Sequence, residues 1–171
     1  MSNKNELIIT RIFDAPPSAV FMAWTEPERI KKWWGPQSFT CPVAKVDLRK
    51  GGKYVYCMHG TEGAFAGKDF WSGGEFREVD APNKIVVTDY FCDEKGDKVD
   101  PATFGMDPNF PKESAIIIKF EEDKGKTRLS IIYELPKSAA TREAMTKSGM
   151  NEGWNSSLDK LQTLVEKRNE I

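Results

Sequence analysis

The chain has 171 residues, with 25 lysines and arginines against 26 aspartates and glutamates, a formal net charge of -1, and 39% hydrophobic residues. That length fits one domain with a real core, and the composition is too apolar for a disordered chain. The near-neutral balance offers no footprint for nucleic acid, and no apolar run approaches the ~18 residues that span a bilayer.

The polar start, residues 1–6, lacks the apolar stretch of a secretory signal. Cys41, Cys57 and Cys92 are odd in number and form no C-x-x-C pair, so reduced thiols and a cytoplasmic location are expected. His59 is the only histidine, which excludes a multi-histidine zinc site. The serine-hydrolase, dinucleotide and P-loop glycine signatures are absent, and no cofactor is expected.

Residues 6–13 read as a strand, with Ile8, Ile9, Thr10 and Ile12 supplying branched side chains. Pro16 and Pro17 end it and open a helix with Val20, Phe21 and Trp24 on one face. Thr25 caps a second short helix, with Pro27 in its first turn, running through Ile30, Trp33 and Trp34 to Gly35 and Pro36. Strands follow at 43–50, closed by Gly51 and Gly52, at 53–59, and at 68–79, where Gly73 and Gly74 predict a bulge or kink. After a turn at 80–83, a largely apolar run at 85–91 suits a central strand. Strands at 114–121 and 127–135 flank a hairpin turn.

Residues 93–112 form an insertion loop rich in Asp, Gly, Lys and Pro, with Phe104, Met106 and Phe110 as apolar anchors. A loop this long is either a lid or a decorated edge. Beyond Pro136, Ser138 caps a helix that runs to about Lys167 with a weak point at Ser148 and Gly149. Met150, Trp154, Leu158, Leu161 and Val165 make one stripe, and Asn151, Glu152, Asn155, Asp159 and Lys160 fall on the opposite side. The element order predicts an α+β fold, a curved antiparallel sheet of about six to seven strands gripping a long C-terminal helix. Where such a sheet bends away from the helix, large side chains or a ligand must fill the gap.

The segments RIFDAPP at 11–17, AWTEPE at 23–28, WWGP at 33–36, VDLRKGG at 46–52 and GMNEGWNSSLDKL at 149–161 carry a resemblance. The chain resembles the activator-of-heat-shock-protein-ATPase homologue-like family, within the START/birch-pollen-allergen superfamily of helix-grip (SRPBCC) folds. The resemblance implies a single domain over 1–171, with 93–112 as an elaboration on shorter members. The superfamily hosts carriers, cyclases, lyases and chaperone cofactors, so it implies a fold more than a reaction.

A cavity between sheet and helix would be lined by Tyr54, Tyr56, Met58, Phe76, Tyr90, Ile118 and Ile131 from the sheet and by Met150, Trp154 and Leu158 from the helix. Trp33, Trp34 and Phe39 fall near its mouth in the resembling fold, one tryptophan as a core plug and the other as a stacking wall. Gly153 would let the helix approach the sheet, and Gly149 would be a hinge. Asp47 and Arg49 read as a charge pair beside the Gly51 turn. His59, Glu75 and Asp89 are the acid–base candidates, each more simply read as solvated, and no catalytic residue is assigned. The leading expectation is a small hydrophobic or aromatic molecule as partner. The alternatives are a chaperone whose ATPase the chain stimulates, and a cyclase- or lyase-type enzyme.

Overall fold

The computed structural model describes residues 5–166. Seven strands, β1 (Glu6–Phe13), β2 (Phe39–Val46), β3 (Lys53–Gly60), β4 (Asp69–Asp80), β5 (Lys84–Phe91), β6 (Ser114–Asp123) and β7 (Lys126–Glu134), form one curled sheet in the order β1-β7-β6-β5-β4-β3-β2. Every neighbouring pair is antiparallel, so short turns connect most of them. Helices α1 (Pro17–Thr25) and α2 (Pro27–Ile30) link β1 to β2, and α3 (Ala139–Lys147) and α4 (Met150–Glu166) follow β7. This is the α+β helix-grip arrangement read from the sequence. No helix among the described residues is long and apolar enough to cross a membrane.

The core fills the concave side of the sheet. Phe13, Phe120, Leu129 and Ile131 come from β1, β6 and β7, and Val20, Phe21, Trp24, Ile30 and Trp33 from α1, α2 and the turn after α2. From α4, Leu158, Leu161 and Val165 of the stripe are buried with them. Fully burying a large apolar side chain stabilises by about 1.5–3 kcal/mol before ordering costs, so this stripe holds the helix down.

Several boundaries differ from the expectation. The strand expected at 43–50 lies instead at Phe39–Val46. Pro42 is tolerated within it because β2 is an edge strand and the β2–β3 register shifts between Thr40 and Val43, so no ladder donor is needed there. Asp47 and Arg49 therefore stand in the following turn, paired at 2.9 Å in solvent. Gly52 is required there: a Cβ would lie 2.0 Å from the Asp47 carbonyl oxygen. The bulge expected at Gly73 and Gly74 falls further along β4, between Phe76 and Glu78. The single C-terminal helix is divided at Gly149, whose φ of 81° terminates α3. The Gly149 carbonyl then accepts the Gly153 N–H at 2.9 Å, which starts α4. Lys167, the expected end, lies outside the described residues.

The polar side of α4 is not simply solvated. Arg11 on β1 donates to the Asp159 carboxylate at 2.7 Å and to the backbone and side-chain oxygens of Asn155, each at 3.2 Å. Lys160 donates to the carbonyls of Pro36 and Phe39 at 3.3 and 3.1 Å. Burial lowers the pKa of that ammonium. Two cations thus strap α4 to opposite edges of the sheet, one at β1 and one at the start of β2.

Candidate functional site

The two glycines of β4 shape the floor of the site. Gly74 stands opposite Tyr54 in the β3–β4 register. A Cβ at Gly74 would come within 1.8 Å of the Thr88 carbonyl oxygen and 2.7 Å of the Tyr54 hydroxyl. Glycine therefore lets the Tyr54 side chain cross β4 and donate to the Thr88 carbonyl on β5 at 2.6 Å. The Thr88 hydroxyl in turn accepts the Glu75 N–H at 3.0 Å. Asp89 follows Thr88, with its Oδ1 3.2 Å from the same Tyr54 hydroxyl.

Asp89 opens onto a hollow of about 280 Å³ at the N-terminal end of α4. The segment after α2 gives it Trp34, Gly35 and Pro36, β3 gives Met58, β5 gives Asp89, Tyr90 and Phe91, and β7 gives Tyr133. Met106, Phe110 and Pro111 close one side, and Met145, Ser148, Gly149, Met150, Gly153, Trp154 and Ser157 the other. A second void of about 30 Å³ lies deeper, among Tyr54, Tyr56, Phe76, Ile118 and neighbours. Trp34, Asp89 and Trp154 border both, and form the partition between them. The outer volume is close to the lower end, ~300 Å³, of ordinary ligand sites.

The walls are aromatic and ordered. Trp34 and Trp154 meet edge to face, with ring centroids 5.5 Å apart and planes at 88°. Trp154 also stacks on Trp24 at 5.8 Å, and its indole N–H donates to the Tyr133 hydroxyl at 2.8 Å. Phe110 packs on Phe91, and Phe104 on Phe91 and Phe70, so the 93–112 insertion is anchored along the hollow's rim.

Burial pushes the Asp89 carboxyl up to about 7. The phenols of Tyr54, Tyr56 and Tyr133 are raised well above their ordinary value, first by burial and then by the negative charge of Asp89, which for Tyr56 follows that of Cys41. Burial likewise holds the thiols of Cys41, Cys57 and Cys92 up at about 11, 12 and 12, so none is a ready nucleophile.

The sequence candidates separate on this geometry. Trp34, Met58, Tyr90, Met150 and Trp154 line the outer hollow, and Tyr54, Tyr56, Phe76 and Ile118 the inner void. Trp33 is the core plug: it is fully buried and donates its indole N–H to the Ala23 carbonyl at 2.8 Å. Ile131 and Leu158 are packed in the core and line neither space. Phe39 lines neither space: it packs on Phe65 and Phe70, which join it to the rim through Phe104. Gly153 faces Pro36, 3.8 Å from where its Cβ would sit, so it does not serve a close approach to the sheet.

Of the acid–base candidates, His59 pairs with Asp69 at 2.6 Å on an exposed stretch, and Glu75 turns toward Arg77 at 3.5 Å. Asp89 is the exception, since it faces inward rather than solvent. Its signal was present in the alternation of β5, which puts Asp89 on the face of buried Ile85 and Val87. Tyr133 was also missed, although it shares a face with Leu129 and Ile131.

A family model described as Activator of Hsp90 ATPase homolog 1-like protein matches residues 14–166. No curated protein matches the chain. Among solved structures, a protein from Staphylococcus epidermidis is 31% identical with a TM-score of 0.72, over 98% of this chain and 93% of that one. Protein Ms6760 from Mycobacterium smegmatis is 28% identical with a TM-score of 0.76, over 94% of this chain and 90% of that one. A protein from Arthrobacter aurescens shares the fold at a TM-score of 0.78 and 24% identity, over 95% and 87% of the two chains.

Proposed function

The chain belongs to the Activator of Hsp90 ATPase homolog 1-like family, and from that premise we propose that it binds a small hydrophobic or aromatic molecule in the hollow beside α4. The observation that carries this reading is the aromatic wall itself. Trp34, Tyr90, Phe91, Phe110, Tyr133 and Trp154 surround about 280 Å³ that protein atoms leave unfilled. Protein interiors are ordinarily packed to crystal density, and an unfilled apolar space forfeits contacts that a ligand restores. Shape and apolar area supply most of the affinity, and a few polar groups fix orientation.

Titration of a panel of small aromatic compounds, followed by the indole N–H signals in two-dimensional NMR, tests the reading. Shifts concentrated at Trp34 and Trp154 are expected, with Trp71, which lies on β4 and lines neither hollow, unmoved. Compounds that move Trp71 as much as Trp154, or that move neither, defeat it.

The family's description favours a second reading, stimulation of a chaperone ATPase. Such docking needs roughly 800 Å² of this domain's surface. Chaperone ATPase rate with and without the protein separates the two, since a ligand carrier leaves that rate unchanged.

A further inference from the structure

Asp89 is the one carboxyl among the residues lining either hollow, and no lysine, arginine or histidine lines either one. Its hydrogen-bond partner, the Tyr54 hydroxyl, has a single proton and already places it on the Thr88 carbonyl at 2.6 Å. An ionised Asp89 is therefore left without a cation among the lining residues, with only a longer 3.2 Å bond from the Tyr54 hydroxyl that Thr88 shares. From β3 it is faced by the phenols of Tyr54 and Tyr56, from β7 by that of Tyr133, and near the end of its own strand lies the buried thiol of Cys92. Glu75 on β4 is engaged by Arg77. Met106, Phe110 and Pro111 from the insertion, and the lining residues of α3 and α4, carry no charge. A carboxylate drawn out of bulk water is stabilised by a cationic partner, and this half-buried one has none beside it.

The two indoles that share the partition with Asp89 stand at 88° to each other. Aromatic faces attract cations, and an ammonium set against indoles and a carboxylate gains from both. We propose, resting on the reading that the hollow binds a small aromatic molecule, that this molecule carries a basic amine. Its ammonium pairs with Asp89 at the Trp34–Trp154 corner, and its apolar body fills the outer hollow. An anionic ligand finds no cation here, and a neutral one leaves the carboxyl unpaired.

Pairing requires the ionised carboxylate. Below about pH 7 the incoming ammonium displaces the carboxyl proton to solvent. Affinity thus rises about tenfold between about pH 6 and pH 8 and levels above that range.

The probes are naphthylethylamine, whose ammonium stays charged through this range, and naphthylethanol, its neutral counterpart of similar shape. Both are titrated by calorimetry and by indole NMR against the wild-type protein and Asp89→Asn. The expected result is tighter binding of the amine, an affinity that climbs with pH for the amine alone, and proton release at about pH 6 detected from the buffer dependence of the heat. In Asp89→Asn the two probes bind alike. The wild-type pH series stands without the variant if that variant folds poorly. Equal or tighter binding of the alcohol with a flat pH profile overturns the amine proposal and leaves the ligand reading in place. If neither probe moves Trp34 or Trp154, the ligand reading falls and the amine proposal with it.

Discussion

Asp89 ties the site to the stability of the fold. Its carboxyl is raised to about 7 by burial, above an ordinary value of 3.8. Between those two values the native state holds a proton that the unfolded chain releases. The contribution of Asp89 to stability is therefore fully present at about pH 4 and below, is lost as pH rises through about pH 7, and is flat above it. Asp89→Asn, which mimics the protonated form, removes this slope. The variant is expected to exceed the wild type by ~1–4 kcal/mol at about pH 8 and to match it near pH 4, as urea denaturation at the two pH values would read. A variant weaker than the wild type at about pH 8 contradicts the assignment. The adjacent tryptophans offer a second contrast. Trp33→Ala empties a fully buried site and is expected to cost ~3–5 kcal/mol. Trp34→Ala enlarges a space already open and costs less, while weakening aromatic ligands more.

At the level of elements, the glycine between α3 and α4 and the glycine within α4 behave oppositely. Gly149 has a φ of 81°, where an L side chain is strained, so Gly149→Ala is expected to destabilise by about 1 kcal/mol. Gly153 is helical, and its added Cβ would make an ordinary contact with Pro36 at 3.8 Å. Gly153→Ala is expected to stabilise by up to about 1 kcal/mol and to narrow the hollow, weakening ligand binding while raising the melting temperature. Thermal melts of the two variants, with a binding curve for the second, check both. The strands and the α4 stripe were legible because alternation and three-to-four spacing follow directly from strand and helix geometry. Three features were not. The start of β2 was masked by Pro42, which the edge position and the register shift between Thr40 and Val43 together permit. Which of Trp33 and Trp34 faces the core depends on how α2 seats against α1, a tertiary fact. The partners of the polar residues of α4, Arg11 and the Pro36 and Phe39 carbonyls, could not be read because they lie more than a hundred residues away in the chain.

On the scale of the whole molecule, the hollow is assembled from segments spread from Trp34 to Ser157, so it exists only when the sheet and α4 are docked. A ligand seated there binds the folded state and not the unfolded one. At a hundredfold excess over its dissociation constant it is expected to add about 2.7 kcal/mol to global stability. Hydrogen exchange should slow in α4 and β5 together. Protection confined to the 93–112 segment would place the ligand on the surface instead.

Four of the five tryptophans, Trp24, Trp33, Trp34 and Trp154, touch one another in a single group, and Trp71 stands apart. Rings this close exchange excitation before they emit, so the group acts as one chromophore with one edge on the hollow. Replacing Trp71 by Phe would leave a protein whose tryptophan emission comes from that group alone, a built-in optical reporter of whatever enters.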